Sequence, residues 1–141
     1  MDLKKQFEQV MQESINMALA TSIDNKPNVR VVTFAYNPAG EGKILFTTFK
    51  GNQKIKEFAE NPHVACMPLA ESPEADVQVR IFGEIHKSAV SLDEVIALIA
   101  QKYPGNAETI QQGGAMMEIY EVRFREAYIT IGMKPAEKLS I

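Results

Sequence analysis

The chain has one cysteine, Cys66, and only two histidines, His63 and His86, among 141 residues. A single thiol excludes an internal disulfide, and its place in the apolar run HVACMPL suits a packed strand residue in a reducing, intracellular compartment. Metal binding is poorly provided for. His63 and Cys66 have a ligand-like spacing, but no second pair follows, and zinc takes three or four ligands. Positive charge is in short supply as well: 15 Lys and Arg stand against 18 Asp and Glu, a net charge of −3. Non-specific binding to nucleic acid needs a surplus of cations to neutralise phosphates, so no nucleic-acid partner is expected. Nor is there a hydrophobic run long enough to span a membrane, and the opening MDLKKQFEQVMQES is amphipathic. A cytoplasmic protein without a membrane partner is the expectation. Internal repeats and low-complexity segments are also missing.

What is present is the composition of a globular domain, 45% hydrophobic and 23% charged, with a length that fits one domain over residues 1–141. Asp2 can cap a helix whose apolar face is Leu3, Phe7, Val10, Met11 and Ile15. MALATSI and VRVVTFAY, joined by DNKPN, have the β-branched and aromatic content of a hairpin. The Gly-rich NPAGEGK has neither the Gly spacing nor the Ser or Thr of a P-loop, and is expected to be a turn leading into the strand ILFTTF. Asn52 can cap a short helix that turns Ile55, Phe58 and Ala59 inward, which leaves Glu57 and Glu60 as expected solvated positions. HVACMPL is a fourth strand. In VQVRIFGEIHK, the apolar Val77, Val79, Ile81 and Ile85 alternate with mostly polar residues, the mark of a strand buried on one face. Ser91 and Glu94 form a capping box before a helix, VIALIAQKY, that Pro104 and Gly105 stop. NAETIQQGGA is a polar segment, MMEIYEVRF and EAYITIGM are two last strands, and the tail KPAEKLSI carries no assignment. Six or seven strands with few intervening helices point to a small, mainly β, antiparallel barrel with covering helices.

No Ser/His/Asp or paired-carboxylate arrangement stands out, so no catalytic residue is assigned. Tyr36, Tyr103 and Tyr120 are weighed as substrate contacts against the commoner role of tyrosine in a strand core. One constellation does stand out: Lys50, Lys54 and Lys56 cluster near the start of the second helix, with Arg30 on an earlier strand. Cations there oppose the helix dipole, whereas a bound phosphate would be stabilised by both the dipole and the ammonium groups. Solvated surface lysines are the plain alternative, and charge alone leaves both open.

Four segments together, RVVTFAY, FTTFKGNQK, FAENPHVAC and VQVRIFGE, resemble the pyridoxamine 5′-phosphate oxidase-like, FMN-binding split-barrel family, in its order and spacing over roughly residues 14 to 90. The resemblance implies a homodimer of antiparallel split β-barrels with FMN in the cleft between subunits. It implies that Arg30 meets the FMN phosphate while Val31, Val32 and Thr33 line the flavin. Phe46, Thr47 and Thr48 match the strand before the phosphate-binding helix start. That start appears here as Asn52, Gln53 and Lys54, so Gln53 replaces an arginine, and Lys50 is the candidate to compensate. Gln78 is implied to hydrogen-bond the flavin edge. QQGGA, residues 111–115, is implied to lie where a partner subunit closes over the flavin. The chain lacks the late Arg and His that grip substrate in authentic pyridoxamine phosphate oxidases. The expectation is therefore a short relative: a flavin-dependent oxidoreductase acting on a small molecule. A non-catalytic flavin-binding or electron-transfer protein, or a barrel binding haem or deazaflavin, is the alternative.

Overall fold

The computed structural model describes residues 2–40 and 42–141; the Glu41 position of the expected NPAGEGK turn lies outside the described residues. The chain begins with α1 (Leu3–Glu13), β1 (Asn16–Ile23), β2 (Lys26–Tyr36), β3 (Lys43–Phe49) and α2 (Gln53–Glu60). There follow β4 (His63–Pro68), β5 (Val77–Lys87), α3 (Leu92–Lys102), α4 (Pro104–Gly113) and a 3₁₀ turn at Gly114–Met116. β6 (Met117–Arg123), β7 (Glu126–Ile131) and β8 (Glu137–Ser140) complete it. All strand pairs are antiparallel, in the order β4-β1-β2-β3-β6-β5-β7-β8, and a further pairing of β4 with β5 closes a barrel from which β7 and β8 extend. The architecture is the expected antiparallel split barrel.

Local chemistry accounts for the turns. Asp24 and Asn25 adopt φ of 51° and 63°, the left-handed pair that a two-residue hairpin requires, and so set Ile23 opposite Lys26. Strand β5 is long because its first half pairs with β7 and its second half with β6. Gly83 sits at the changeover, where an added Cβ would strike the Arg123 carbonyl and approach Val122 to 3.0 Å. Only glycine lets β5 and β6 come that close.

Two cores result. The barrel interior holds Met17, Leu19, Phe34, Phe46, Val79 and Ile81, and α1 closes onto it through Phe7 and Met11. The Phe7 ring stands edge-on to Tyr36 at 5.8 Å and to Phe124 at 6.1 Å. Each such buried side chain contributes about 1.5–3 kcal/mol relative to exposure. Outside the barrel, Val95 and Ile99 of α3 and Ala107 and Ile110 of α4 cover Ala35, Leu45 and Ile119. Lys102 ties α3 to the rest, donating from Nζ to the Ser14 carbonyl at 2.9 Å and lying 3.7 Å over the Phe34 ring.

Three expectations are corrected. Ile15 falls beyond α1, whose cap is Ser14. The polar segment after Tyr103 is a helix: Pro104, expected only as a stop, also occupies the first turn of α4, where a missing N–H costs nothing. The tail supplies a strand, β8, which pairs Glu137–Ser140 with β7.

One sheet face remains uncovered. Ala18 stands opposite Val31 and Met67, Ala20 opposite Val29 and Ala65, and Ala65 opposite Phe82. Directly paired residues share a face, so these side chains form one apolar patch, on which Val29 is 63%, Val31 59% and Phe82 51% exposed. No described helix is long and apolar enough to cross a membrane.

Candidate functional site

The Gly51 bend, at φ 77°, turns the chain from β3 into α2. Asn52 caps the helix, its Oδ1 accepting from the Lys54 amide at 3.1 Å. The Lys54 side chain folds back over β3, and its Nζ donates to Thr48 Oγ1 at 3.2 Å. Burial lowers the Lys54 ammonium below its ordinary range, the nearby Arg30 charge lowers it further, and Glu57 acts in the opposite sense.

These residues form one end of a groove of about 270 Å³. Val31, Val32 and Thr33 of β2 and Thr47, Thr48 and Phe49 of β3 make its floor, and Asn52 and Lys54 its polar end. The far wall is Asn106, Thr109 and Ile110 of α4, with Met117. Asn106 Nδ2 donates to Thr33 Oγ1 at 3.0 Å, and Thr33 donates to Asn16 Oδ1 at 2.8 Å, so the α4 wall is fastened to β2. Lys54 is the one ionisable side chain lining this groove among the described residues. The α4 wall carried no helical signal in the sequence, where NAETIQQGGA read only as a polar segment; QQGGA itself forms the end of α4 and the 3₁₀ turn.

The other sequence candidates lie elsewhere. Lys50 and Gln53 are exposed at the approach to α2, and the Lys50 amide donates to the Met116 carbonyl at 2.9 Å. Phe46 is fully buried in the barrel, stacked on Tyr120 at 6.2 Å and edge-on to Phe58 at 6.0 Å. Tyr36 and Tyr120 are buried, while Tyr103 is exposed between α3 and α4. Gln78 lines a separate groove of about 430 Å³ between α1 and the segment leading into β5, together with Glu13, Glu71 and Asp76. His63 and His86 flank Glu84, at 3.9 and 3.8 Å, away from the Lys54 groove. Burial pushes the Cys66 thiol up to about 12, as befits a core residue.

Arg30 stands beside the groove rather than in its lining. Its guanidinium grips Glu57 with both terminal contacts on one nitrogen, Nη2 to Oε1 at 3.0 Å and to Oε2 at 3.1 Å. Its Nη1 donates to Thr21 Oγ1 at 2.9 Å and to the Leu19 carbonyl at 3.3 Å. Glu57, expected to be solvated, is instead 8% exposed and also accepts from Thr21 at 2.9 Å and Asn28 at 3.5 Å. Burial works against the charged carboxylate, but the hydrogen bonds from Thr21 and Arg30, and the Arg30 charge, outweigh it and hold the carboxyl below its ordinary range. The partners of Glu57 lie on β1 and β2, distant in sequence, which is why its helical position gave no warning.

The sequence signature of pyridoxamine 5′-phosphate oxidase matches residues 3–131. The chain belongs to the pyridoxamine 5′-phosphate oxidase family. Solved structures extend the likeness to the fold. HutZ, the heme storage protein from Vibrio cholerae, superimposes with a TM-score of 0.71 at 17% identity, over 94% of this chain and 99% of that one. A Clostridium acetobutylicum protein related to general stress protein 26, of the pyridoxinephosphate oxidase family, gives 0.75 at 12% identity, over 100% of this chain and 97% of that one. A heme binding protein from Mycobacterium smegmatis gives 0.72 at 15% identity, over 94% of this chain and 57% of that one. Among curated protein sequences there is no match. Within the family's barrel, the groove offers one cation, a helix start, several hydroxyls and an apolar floor. This combination can hold a planar ring by its faces and an anionic tail by the Lys54 end.

Proposed function

We propose that this chain binds FMN and acts as a flavin-dependent oxidoreductase on a small molecule, with the cofactor held between two copies of the chain. The observation that carries the reading is the Lys54 groove, where a cation and a capped helix start meet the end of an apolar, hydroxyl-bearing strand floor. A phosphate suits Lys54 and the start of α2, and an aromatic ring suits Val31, Phe49 and Met117. The bound flavin would supply the hydride or electron chemistry. The chain's own residues would bind and orient it: Lys54 and Asn52 at its phosphate, Val31, Val32, Thr33, Thr47 and Thr48 along its length.

Two features support a second copy. A groove of about 270 Å³ is smaller than the roughly 300–1,000 Å³ that encloses a small-molecule ligand, so a further wall is needed. Beside it lies the uncovered apolar face, with Val31 common to both, and such faces mark association surfaces. Gln78, in the other groove, would then reach the flavin of the opposite subunit.

The test is the visible spectrum of the purified protein before and after incubation with FMN and desalting, with Lys54→Ala alongside. A retained flavin spectrum that the variant loses supports the reading; no retention in either overturns it. Turnover with NAD(P)H separates a reductase from a flavin carrier. Haem is the second reading, favoured by the two haem-related proteins that share the fold. It requires His63 or His86 to act away from the Lys54 groove. A Soret band that survives replacement of both histidines by Ala would exclude them as ligands.

A further inference from the structure

A flavin phosphate in the Lys54 groove would meet fewer cations than the cluster of basic residues in this part of the chain suggests. Gln53 is uncharged and exposed, and Lys50 does not line the groove. Arg30 is the remaining strong phosphate ligand nearby, next in sequence to the groove residue Val31. Glu57 lies three residues after Lys54, so the two side chains share one face of α2 about one turn apart. Arg30 is thus close to the groove, but its guanidinium is spent on Glu57, Thr21 and the Leu19 carbonyl. A phosphate could recruit Arg30 only by displacing a carboxylate that is already paired, hydrogen-bonded and buried, and leaving such a carboxylate unpaired is costly.

We propose that Glu57 is a specificity-determining residue: it holds Arg30 out of the groove, so that a flavin phosphate is met by Lys54 without Arg30. This rests on the flavin reading above. Its consequence is weak discrimination between FMN and riboflavin, which share the ring and differ in the phosphate. The carboxamide of Glu57→Gln retains the size of the side chain and can still accept from Thr21. It gives up the charge that binds Arg30 and so releases the guanidinium toward the groove.

The experiment is equilibrium binding of FMN and riboflavin, read by flavin fluorescence, to the wild-type protein, E57Q and the double variant R30Q/E57Q. One charge-assisted contact is worth about ten- to a hundredfold, so the wild type is expected to prefer FMN by about that much. E57Q should raise the preference by about a further tenfold, through tighter FMN binding with riboflavin unchanged. The double variant, with the same net charge as the wild type, should lose that gain. A general loosening of the fold would move both ligands together and leave the ratio where it was. An unchanged ratio in E57Q overturns the proposal while leaving the flavin reading intact. So does a gain that survives in R30Q/E57Q, because the lost carboxylate rather than the freed arginine would then explain it. If E57Q does not fold, R30Q/E57Q against the wild type decides: an unchanged FMN-to-riboflavin ratio supports the proposal, whereas a ratio about tenfold lower shows that Arg30 met the phosphate all along and overturns it. Failure of both flavins to bind the wild type overturns both the proposal and the reading beneath it.

Discussion

The Lys54 groove and the Gln78 groove are built from different materials. The smaller lies on regular structure: β2 and β3 form its floor, α4 its wall, and a capped helix start presents Lys54. The larger lies between α1 and the irregular segment before β5, and its charged residues, Glu13, Glu71 and Asp76, are acids. In the first, the floor residues are laddered outward, β2 to β1 and β3 to β6, where the β2–β3 pairing has ended at Phe34 and Phe46, while the second depends on how a polar loop lies against one helix. A rigid, singly cationic groove is suited to holding an anionic cofactor in one pose. A loop-bordered, acidic one disfavours an anion and can change shape with its loop.

If the small groove of one copy and the large groove of another make a single site, separating the copies should have the largest effect. Phe82→Asp places a charge on the uncovered apolar face, away from both grooves. It should halve the mass in sedimentation and abolish retention of FMN through desalting. A variant that keeps the wild-type mass and its flavin would break the pairing of the grooves. Next in size is Lys54→Ala, which removes the small groove's charge and should weaken FMN binding by about ten- to a hundredfold, as measured by fluorescence titration. Gln78→Ala removes only a neutral hydrogen bond from the other groove and should cost about tenfold or less. The pair sharpens further on mixing. Combined K54A and Q78A chains form mixed dimers with one intact site, so refolding them together should recover tight binding that neither shows alone. No recovery would place both residues on the same subunit's flavin, or Gln78 on none.

The smallest effects concern pH, where the buried Glu57 carboxylate and the half-buried Lys102 ammonium both make stability rise with pH, over different ranges. Glu57 has its carboxyl below the ordinary 4.5, so its contribution to stability is complete above that value and is lost as pH falls through the folded-state pKa. Denaturant midpoints should fall in this acid range, and less steeply in E57Q. Burial brings Lys102 down from 10.5 to about 8, so the unfolded chain holds the extra proton between those values and stability gains from Lys102 as pH rises across them. Lys102→Met should lack that rise in the same titration.

How legible each region was follows from how its residues are recruited. The β2 and β3 floor and the helix cap are local: alternation, β-branched residues and an Asn at the helix start announce themselves over a few positions. That local pattern marks the strands and the cap, whereas only the family resemblance of the segments named Val31, Val32, Thr33, Thr47, Thr48, Asn52 and Lys54 together as one site. Phe46 belongs to the same strand as Thr47 and Thr48 but packs in the barrel core against Phe58 and Tyr120. Helix α4 was hidden because its burial rests on two residues, Ala107 and Ile110, in an otherwise polar stretch, too few to show a period. Glu57 was hidden for the opposite reason. Its periodicity was plain, but the partners that bury it come from Thr21, Asn28 and Arg30, which only the closed barrel brings alongside α2.

The interior position of Cys66 has a practical corollary. At 2% exposure and with its thiol pushed up to about 12, the chain's sole native sulfhydryl is both shielded and protonated at neutral pH, so alkylating probes will pass it by. The wild-type background is therefore already suited to single-site labelling. A cysteine introduced at the exposed Thr109, on the α4 wall, would be the one reactive handle on each chain. A fluorophore there would report quenching by an arriving flavin, and a spin label would report the separation of two copies, without any native residue first having to be removed.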